Sequence, residues 1–275
     1  MIHIKRKIVI VCITLLMAIL ASAAFAYKTN LMDARYRAWD LKKAGIIMAL
    51  DLKNEVQGSP GKAACVPVLM YHSINDVPVG SPDLSLKTES FDKQMEYLTS
   101  NGFTAIGFNE LDNAGQYSKP VILTFDDGYE DNYKNAYPIL KKYKLKATIF
   151  MVSGYIGSPG FLNENEMKEM SDVVSFQSHT DSHKPLTGLS EPNVEQELKV
   201  SKEKISKITN KPVSVLSYPN GAYDKTVLNA AHRFYSYAVT TNYGYYFSGN
   251  QKYNLRRIKV TNAMSLKDFA SEVRP

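Results

Sequence analysis

Seven short runs of β-branched and other apolar residues punctuate the chain: Val66–Tyr71, Val121–Phe125, Ala147–Val152, Val173–Gln177, Val213–Tyr218, Tyr237–Thr241 and Leu255–Val260. Each has the length of a buried strand and is too short for a helix. Between them the spacing turns helical. Phe91, Met95 and Leu98 repeat before Gly102, and Ala136, Ile139, Leu140 and Tyr143 repeat before the next run. A further helix is predicted from Ser190, with Glu191 and Pro192 in its first turn and a face through Val194, Leu198, Ile205 and Ile208; another follows Asp224, which is placed to cap it. Strands alternating with amphipathic helices predict an α/β fold with a sheet covered by helices, and seven strands is close to a barrel count.

The 275 residues allow one substantial core and a short appendage, so one catalytic domain is expected. Lys5, Arg6 and Lys7 precede an uncharged apolar run from Ile8 to Ala26, which ends in Ala21-Ser22-Ala23 and Ala24-Phe25-Ala26. Residues 1–26 therefore read as a cleaved signal peptide or a retained membrane anchor. Either reading places the remainder outside the cytoplasm, secreted or held at the outer face of the membrane. Residues 27–64, charged and helix-prone with Gly58-Ser59-Pro60-Gly61 near their end, read as a stalk or linker, and 65–275 as the catalytic domain.

Without its first 26 residues the chain carries 30 Lys and Arg against 27 Asp and Glu. That mild excess gives no support to nucleic-acid binding. Cys12 lies in the apolar run, so Cys65 alone remains beyond it and no intrachain disulfide is expected there.

Polar residues interrupt the pattern just after apolar runs: His72, Asp126-Asp127-Gly128, and His179 with His183. Strand ends are where α/β barrels collect catalytic groups. On an extended chain neighbouring side chains point to opposite sides, so one of the two carboxylates can bind a cation while the other faces a different part of the site. A plain turn also accounts for Asp-Asp-Gly taken alone. The four-residue spacing of His179 and His183 predicts both on one face of a helical turn, within reach of a single ion. Two His and one carboxylate leave positions open for water and substrate, and suit Zn²⁺, Co²⁺, Ni²⁺ or Fe²⁺. His72 is a candidate general acid, because imidazole titrates near neutral pH and a leaving amine must be protonated.

Thr124-Phe125-Asp126-Asp127-Gly128 and His179-Thr180-Asp181-Ser182-His183 resemble the first two motifs of the polysaccharide deacetylases, the family sharing the NodB homology domain (carbohydrate esterase family 4). Tyr218-Pro219-Asn220-Gly221 is similar to the third, and the resemblance covers roughly Val66 to Val273. It implies a distorted (β/α)7-type barrel and metal-dependent removal of N-acetyl groups from an N-acetylated polysaccharide of the cell wall or extracellular matrix. It also implies roles: Asp126 as general base, Asp127, His179 and His183 as ligands of a divalent metal such as zinc, and the Asn220 N–H as an oxyanion donor.

Two departures from the family pattern redirect the search. No His follows His232, which is expected to be structural, whereas many family members carry their acid in a C-terminal motif. In a permuted subgroup similar to exported poly-N-acetylglucosamine deacetylases a Tyr-His near the domain start supplies it, and Tyr71-His72 matches. The Arg of the third motif is absent, Ser217 standing at its place. Arg256 and Arg257 are the candidates to orient Asp126, and alternation along Leu255–Ile258 favours Arg257. Tyr71, Tyr129, Tyr218 and Tyr223 flank the motifs, either to stack on sugar rings or to pack in the core. Two further readings are a non-catalytic glycan-binding protein on the same fold and an acetyl esterase using the same metal.

Overall fold

The structure, a computed structural model, describes residues 64–78, 81–247, 249 and 252–274. The expected signal or anchor segment at 1–26, and all of the expected linker except Ala64, lie outside the described residues.

The expected runs become the strands of a parallel ring: β1 (Val68–Tyr71), β2 (Pro120–Phe125), β3 (Ala147–Met151), β4 (Val174–Ser178), β5 (Val215–Ser217), β6 (Tyr237–Tyr243) and β7 (Leu255–Lys259). Each pairs with the next, and the ring closes because β1 lies between β2 and β7: Leu69 stands opposite Leu123 on one side and Ile258 on the other. The first run is shorter than expected. Pro67 has no N–H to give to a ladder, so Cys65–Val66 leaves the ring and pairs antiparallel with Tyr246–Phe247. Short parallel pairings of Thr104–Ala105 with β2, and of Ser73–Ile74 with Ser85–Leu86, carry no signal in the sequence pattern.

Period-two alternation sorts the strand residues into two cores. Val68, Ile122, Phe150, Val215, Val239 and Leu255 fill the barrel. Leu69, Leu123, Ile149, Phe176, Leu216, Ala238 and Ile258 face the helices. The helix faces are those the spacing predicts. Helix α1 (Thr88–Ser100) buries Phe91, Met95 and Leu98, and truncating a Phe of this kind to Ala costs about 3–5 kcal/mol. Helix α2 (Tyr137–Tyr143) follows a π turn, Asn132–Ala136. Helix α3 spans Glu164–Met170, and α4 (Glu191–Thr209) buries Val194, Leu198, Ile205 and Ile208. Helix α5 (Lys225–Phe234) is capped by Asp224, whose carboxylate accepts from Val227 N–H at 2.9 Å, and α6 spans Leu266–Glu272.

Candidate active site

The alternation that fills the barrel also builds its mouth. Past Val68 and Met70 the next inward position of β1 is His72; past Ile122 and Thr124 it is Asp126; past Leu255 on β7 come Arg257 and Lys259. His72, Asp126, Asp127, His179, His183 and Asn220 all line one cavity of about 200 Å³ at the carboxyl ends of the strands. The sequence-predicted residues are thus brought together, with Arg257 directly beneath.

Asp126 and Arg257 form one unit. Arg257, 0% exposed, donates from Nη1 to Asp126 Oδ1 and from Nη2 to Asp126 Oδ2, both at 2.7 Å. Its other N–H groups reach Thr240 O (2.9 Å), Thr124 Oγ1 (3.2 Å) and Ser217 Oγ (3.1 Å), so all five donors of the guanidinium have an acceptor. Phe150 lies below, its ring centre 5.7 Å from the guanidinium carbon. Burial alone would raise the Asp126 pKa, but the Arg257 guanidinium, helped by His179, outweighs it and holds the carboxyl well below the usual range. Of the two candidate arginines, Arg257 is therefore the one on Asp126; Arg256 is only partly buried, on the opposite face of β7.

Asp127, His179 and His183 form the second unit, and two local expectations fail there. The chain is not extended through the carboxylate pair: Asp127 has φ +71°, so both carboxylates line the same cavity instead of pointing apart. Nor do the two histidines share a helical turn. Thr180 (φ +67°) and His183 (φ +59°) are left-handed, which no α-helix tolerates. The loop is held from outside itself. Ser153 N–H donates to Thr180 O at 3.0 Å and Gly154 N–H to Asp181 O at 2.8 Å. Glu197 on α4 accepts from Asp181 N–H, Ser182 N–H and Ser182 Oγ at 3.1, 2.9 and 2.6 Å. Among the described residues, seven non-glycine positions have positive φ, and Asp127, Thr180, His183 and Asn220 ring this mouth, as strained backbone does at functional sites.

The donors suit a cation. His179 Nδ1 lies 2.7 Å from Ser217 O, a pure acceptor, so Nδ1 carries the hydrogen and Nε2 presents its lone pair. Asp127 Oδ1 is 3.5 Å from His179 Nε2 and 3.4 Å from His183 Nε2. A tetrahedral ion with bonds of about 2.1 Å separates its ligand atoms by roughly 3.4 Å, so the triad matches the size of Zn²⁺ or a similar ion. Asp126 Oδ2 stands 4.0 Å from His179 Nε2, beside this group and not within it. Burial, followed by His179, lowers the His183 pKa against the pull of Asp127.

His72 is partly buried across the cavity. Burial lowers its pKa, and Asp126 and Asp127 oppose the shift without cancelling it. Asn220 (φ +56°) precedes Gly221 (φ +73°), where a Cβ would lie 2.5 Å from the Thr241 backbone nitrogen; only glycine fits. The tyrosines divide. Tyr71 is buried between Phe91 and Phe125 with its hydroxyl on Gln94, and Tyr218 is buried with its hydroxyl on Tyr253 O and its ring on Tyr223. Neither can stack on a sugar. Tyr129, stacked on Phe161, keeps some exposure, and burial and Asp127 raise its pKa. His232 stacks on Tyr253 on the helical side, away from the mouth. Sequence reasoning missed Thr124 and Lys259, which strand alternation could have found, and Glu197, for which no local signal exists.

The chain is similar to known proteins. Residues 113–238 match the family model for polysaccharide deacetylases. The chain is 37% identical over 219 residues to YxkH of Bacillus subtilis (strain 168), a protein named after that family, with 77% of each chain covered. It resembles the solved structure of the deacetylase PplD of Streptococcus pyogenes in complex with acetate: 35% identity, 77% of this chain and 99% of that one covered, TM-score 0.72. It is also 32% identical over 156 residues to the poly-β-1,6-N-acetyl-D-glucosamine N-deacetylase of Staphylococcus aureus (strain MRSA252), a match spanning 50% of this chain and 54% of that one.

Proposed function

The chain belongs to the polysaccharide deacetylase family, and from that premise we propose that it hydrolyses N-acetyl groups of an amino-sugar polymer at a centre where Asp127, His179 and His183 hold a divalent cation, Zn²⁺ before Co²⁺, Ni²⁺ or Fe²⁺. The observation that carries the reading is Asp126: a buried carboxylate locked at both oxygens by Arg257, next in sequence to one ligand and 4.0 Å from another. That is the place for a base acting on water at the ion. Acetate, found with the Streptococcus pyogenes relative, is the product such a reaction releases, and the name of the Staphylococcus aureus relative supports a poly-N-acetylglucosamine substrate. The Lys5–Lys7 cluster and the apolar run to Ala26 support a site of action outside the cytoplasm, secreted or at the outer face of the membrane.

When bound, a divalent cation at this site supplies Lewis acidity, polarising the acetyl carbonyl and making water more acidic. Asp126 accepts a proton from the attacking water, and Arg257 keeps it ionised and oriented for that transfer. The Asn220 N–H donates to the carbonyl oxygen as that oxygen gains charge. His72 hands a proton to the departing amine, and its lowered pKa makes the imidazolium a stronger acid toward it. Amide and water thus become acetate and a free amino sugar.

Acetate and free amine should be measured from poly-N-acetylglucosamine, chitooligosaccharide and peptidoglycan, with chelator and after return of Zn²⁺. Metal-dependent release from at least one polymer is expected. Release from none, or faster cleavage of O-acetylated sugars than of any N-acetylated sugar, would sink the proposal.

A further inference from the structure

Four residues past Asp127 the chain folds back onto the end of β1. Asp131 and the π turn Asn132–Ala136 grip residues 72–74 by four hydrogen bonds. Ser73 Oγ donates to Asp131 Oδ2 (2.6 Å) and Ile74 N–H to Asp131 Oδ1 (3.1 Å). Asn132 Nδ2 donates to the His72 carbonyl (2.8 Å) and Asn135 Nδ2 to the Ile74 carbonyl (2.7 Å). Asn132 Nδ2 also donates to Asp131 Oδ1 (3.0 Å), so the first two members of the grip brace each other.

Asn132 is a poor choice for stability alone. It is fully buried, and its Oδ1 has no partner among the described residues. An apolar side chain of equal volume would remove that orphaned oxygen, though it would also take the donor from the His72 carbonyl. Turning the amide round would set that oxygen against a carbonyl and a carboxylate, so its orientation is fixed. What the amide does is hold the carbonyl of His72, from a π turn of the kind that recurs at functional sites.

We propose that Asn132, braced by Asp131, is a positioning residue that fixes the main chain at His72 and thereby the reach of the imidazole into the cavity, an inference resting on the reading of His72 as general acid. Asn132, at the start of the π turn, stands only five positions past Asp127, so the cation site and the acid are referenced to the same piece of backbone. Ser73 and Ile74 are held so that the strand end cannot swing away.

The test uses the full chain loaded with Zn²⁺ and two substrates, an N-acetylglucosamine oligomer and 4-nitrophenyl acetate, whose leaving group departs without a proton. His72→Ala is expected to lower kcat/KM on the oligomer at least about tenfold more than on the aryl ester, and Asn132→Leu to do the same, since small displacements of a catalytic group are costly. Asn132→Leu, which also takes the donor from the His72 carbonyl, should melt somewhat lower yet remain fully folded at the assay temperature and leave the visible absorption of the Co²⁺ form unchanged. Asp131→Ala should behave likewise, whereas Asp131→Asn, which keeps an acceptor for Ile74, restores most of the selectivity. Equal losses on both substrates, no loss, or an altered Co²⁺ spectrum in Asn132→Leu would overturn the proposal, and so would a His72→Ala variant without selectivity. An unaltered enzyme that cleaves no oligomer refutes the proposed function and takes this inference with it; one that cleaves it, with His72→Ala selective and Asn132→Leu not, overturns the positioning role alone.

Discussion

Asp126 and Asp127 are neighbours in sequence and opposites in circumstance. Asp126 is 1% exposed, and a guanidinium from β7, two strands away around the ring, donates to both its oxygens. Asp127 faces two imidazole nitrogens, and that of His179 turns a lone pair toward it. The first half of the mouth is balanced by the protein's own charges. The second offers its donors to a cation. Ser217 joins them, for its hydroxyl serves Arg257 and Asp126 while its carbonyl fixes the tautomer of His179. The proposed reaction uses both kinds of carboxylate: one that stays ionised beside the cation site, and one within it.

Arg257→Ala is the hardest blow to this contrast, because it strands a buried carboxylate. A loss of about 3–5 kcal/mol in urea unfolding is expected, with acetate release abolished. A loss below about 1 kcal/mol would mean that Asp126 is not held as described. Asp127→Asn should act on the other half only: the metal-free protein unfolds almost as before, but the gain from Zn²⁺, about 2.7 kcal/mol at a hundred times Kd, disappears from the melting curve. Acid separates the halves further. The Asp126 pKa is depressed in the folded state, so its contribution is complete above the unfolded value of about 3.9 and drains away as pH falls toward the folded one. The stability difference between the unaltered protein and Asp126→Asn should therefore shrink below about pH 4; a difference that grew on acidification would contradict the ion pair. Ser217→Ala is the mildest change, because it removes the hydroxyl on Arg257 and Asp126 and keeps the carbonyl on His179: about 1 kcal/mol of stability should be lost with Zn²⁺ affinity unchanged, and a marked fall in Zn²⁺ affinity would show that the two halves are not divided as described.

How much of this the sequence reveals depends on whether the cause is local. Strand runs and helix faces are legible because period two and period 3.6 are written in neighbouring residues. Arg257 is legible for the same reason, counted inward from Leu255. Tyr71 and Tyr218 could have been assigned to the core by the same counting, since Leu69 and Leu216 already face the helices. The path from His179 to His183 is not legible. Its left-handed residues are imposed by Glu197, Ser153 and Gly154, which the fold brings in from α4 and from the end of β3. The grip of Asn132 on the His72 carbonyl is equally remote, sixty residues along the chain.

The position of β1 between β2 and β7 has a consequence for assembly. During synthesis every cation ligand and Asp126 emerge long before Leu255–Lys259, so the ring stays open, with its first strand lacking one neighbour, until the last strand arrives. Arg257 arrives with that strand, and the charge that makes Asp126 tolerable in the interior is delivered by the closing step itself. A nascent or truncated chain ending before it could close over Asp126 only by burying that carboxylate without its guanidinium, which disfavours a native-like barrel before the last strand is in place.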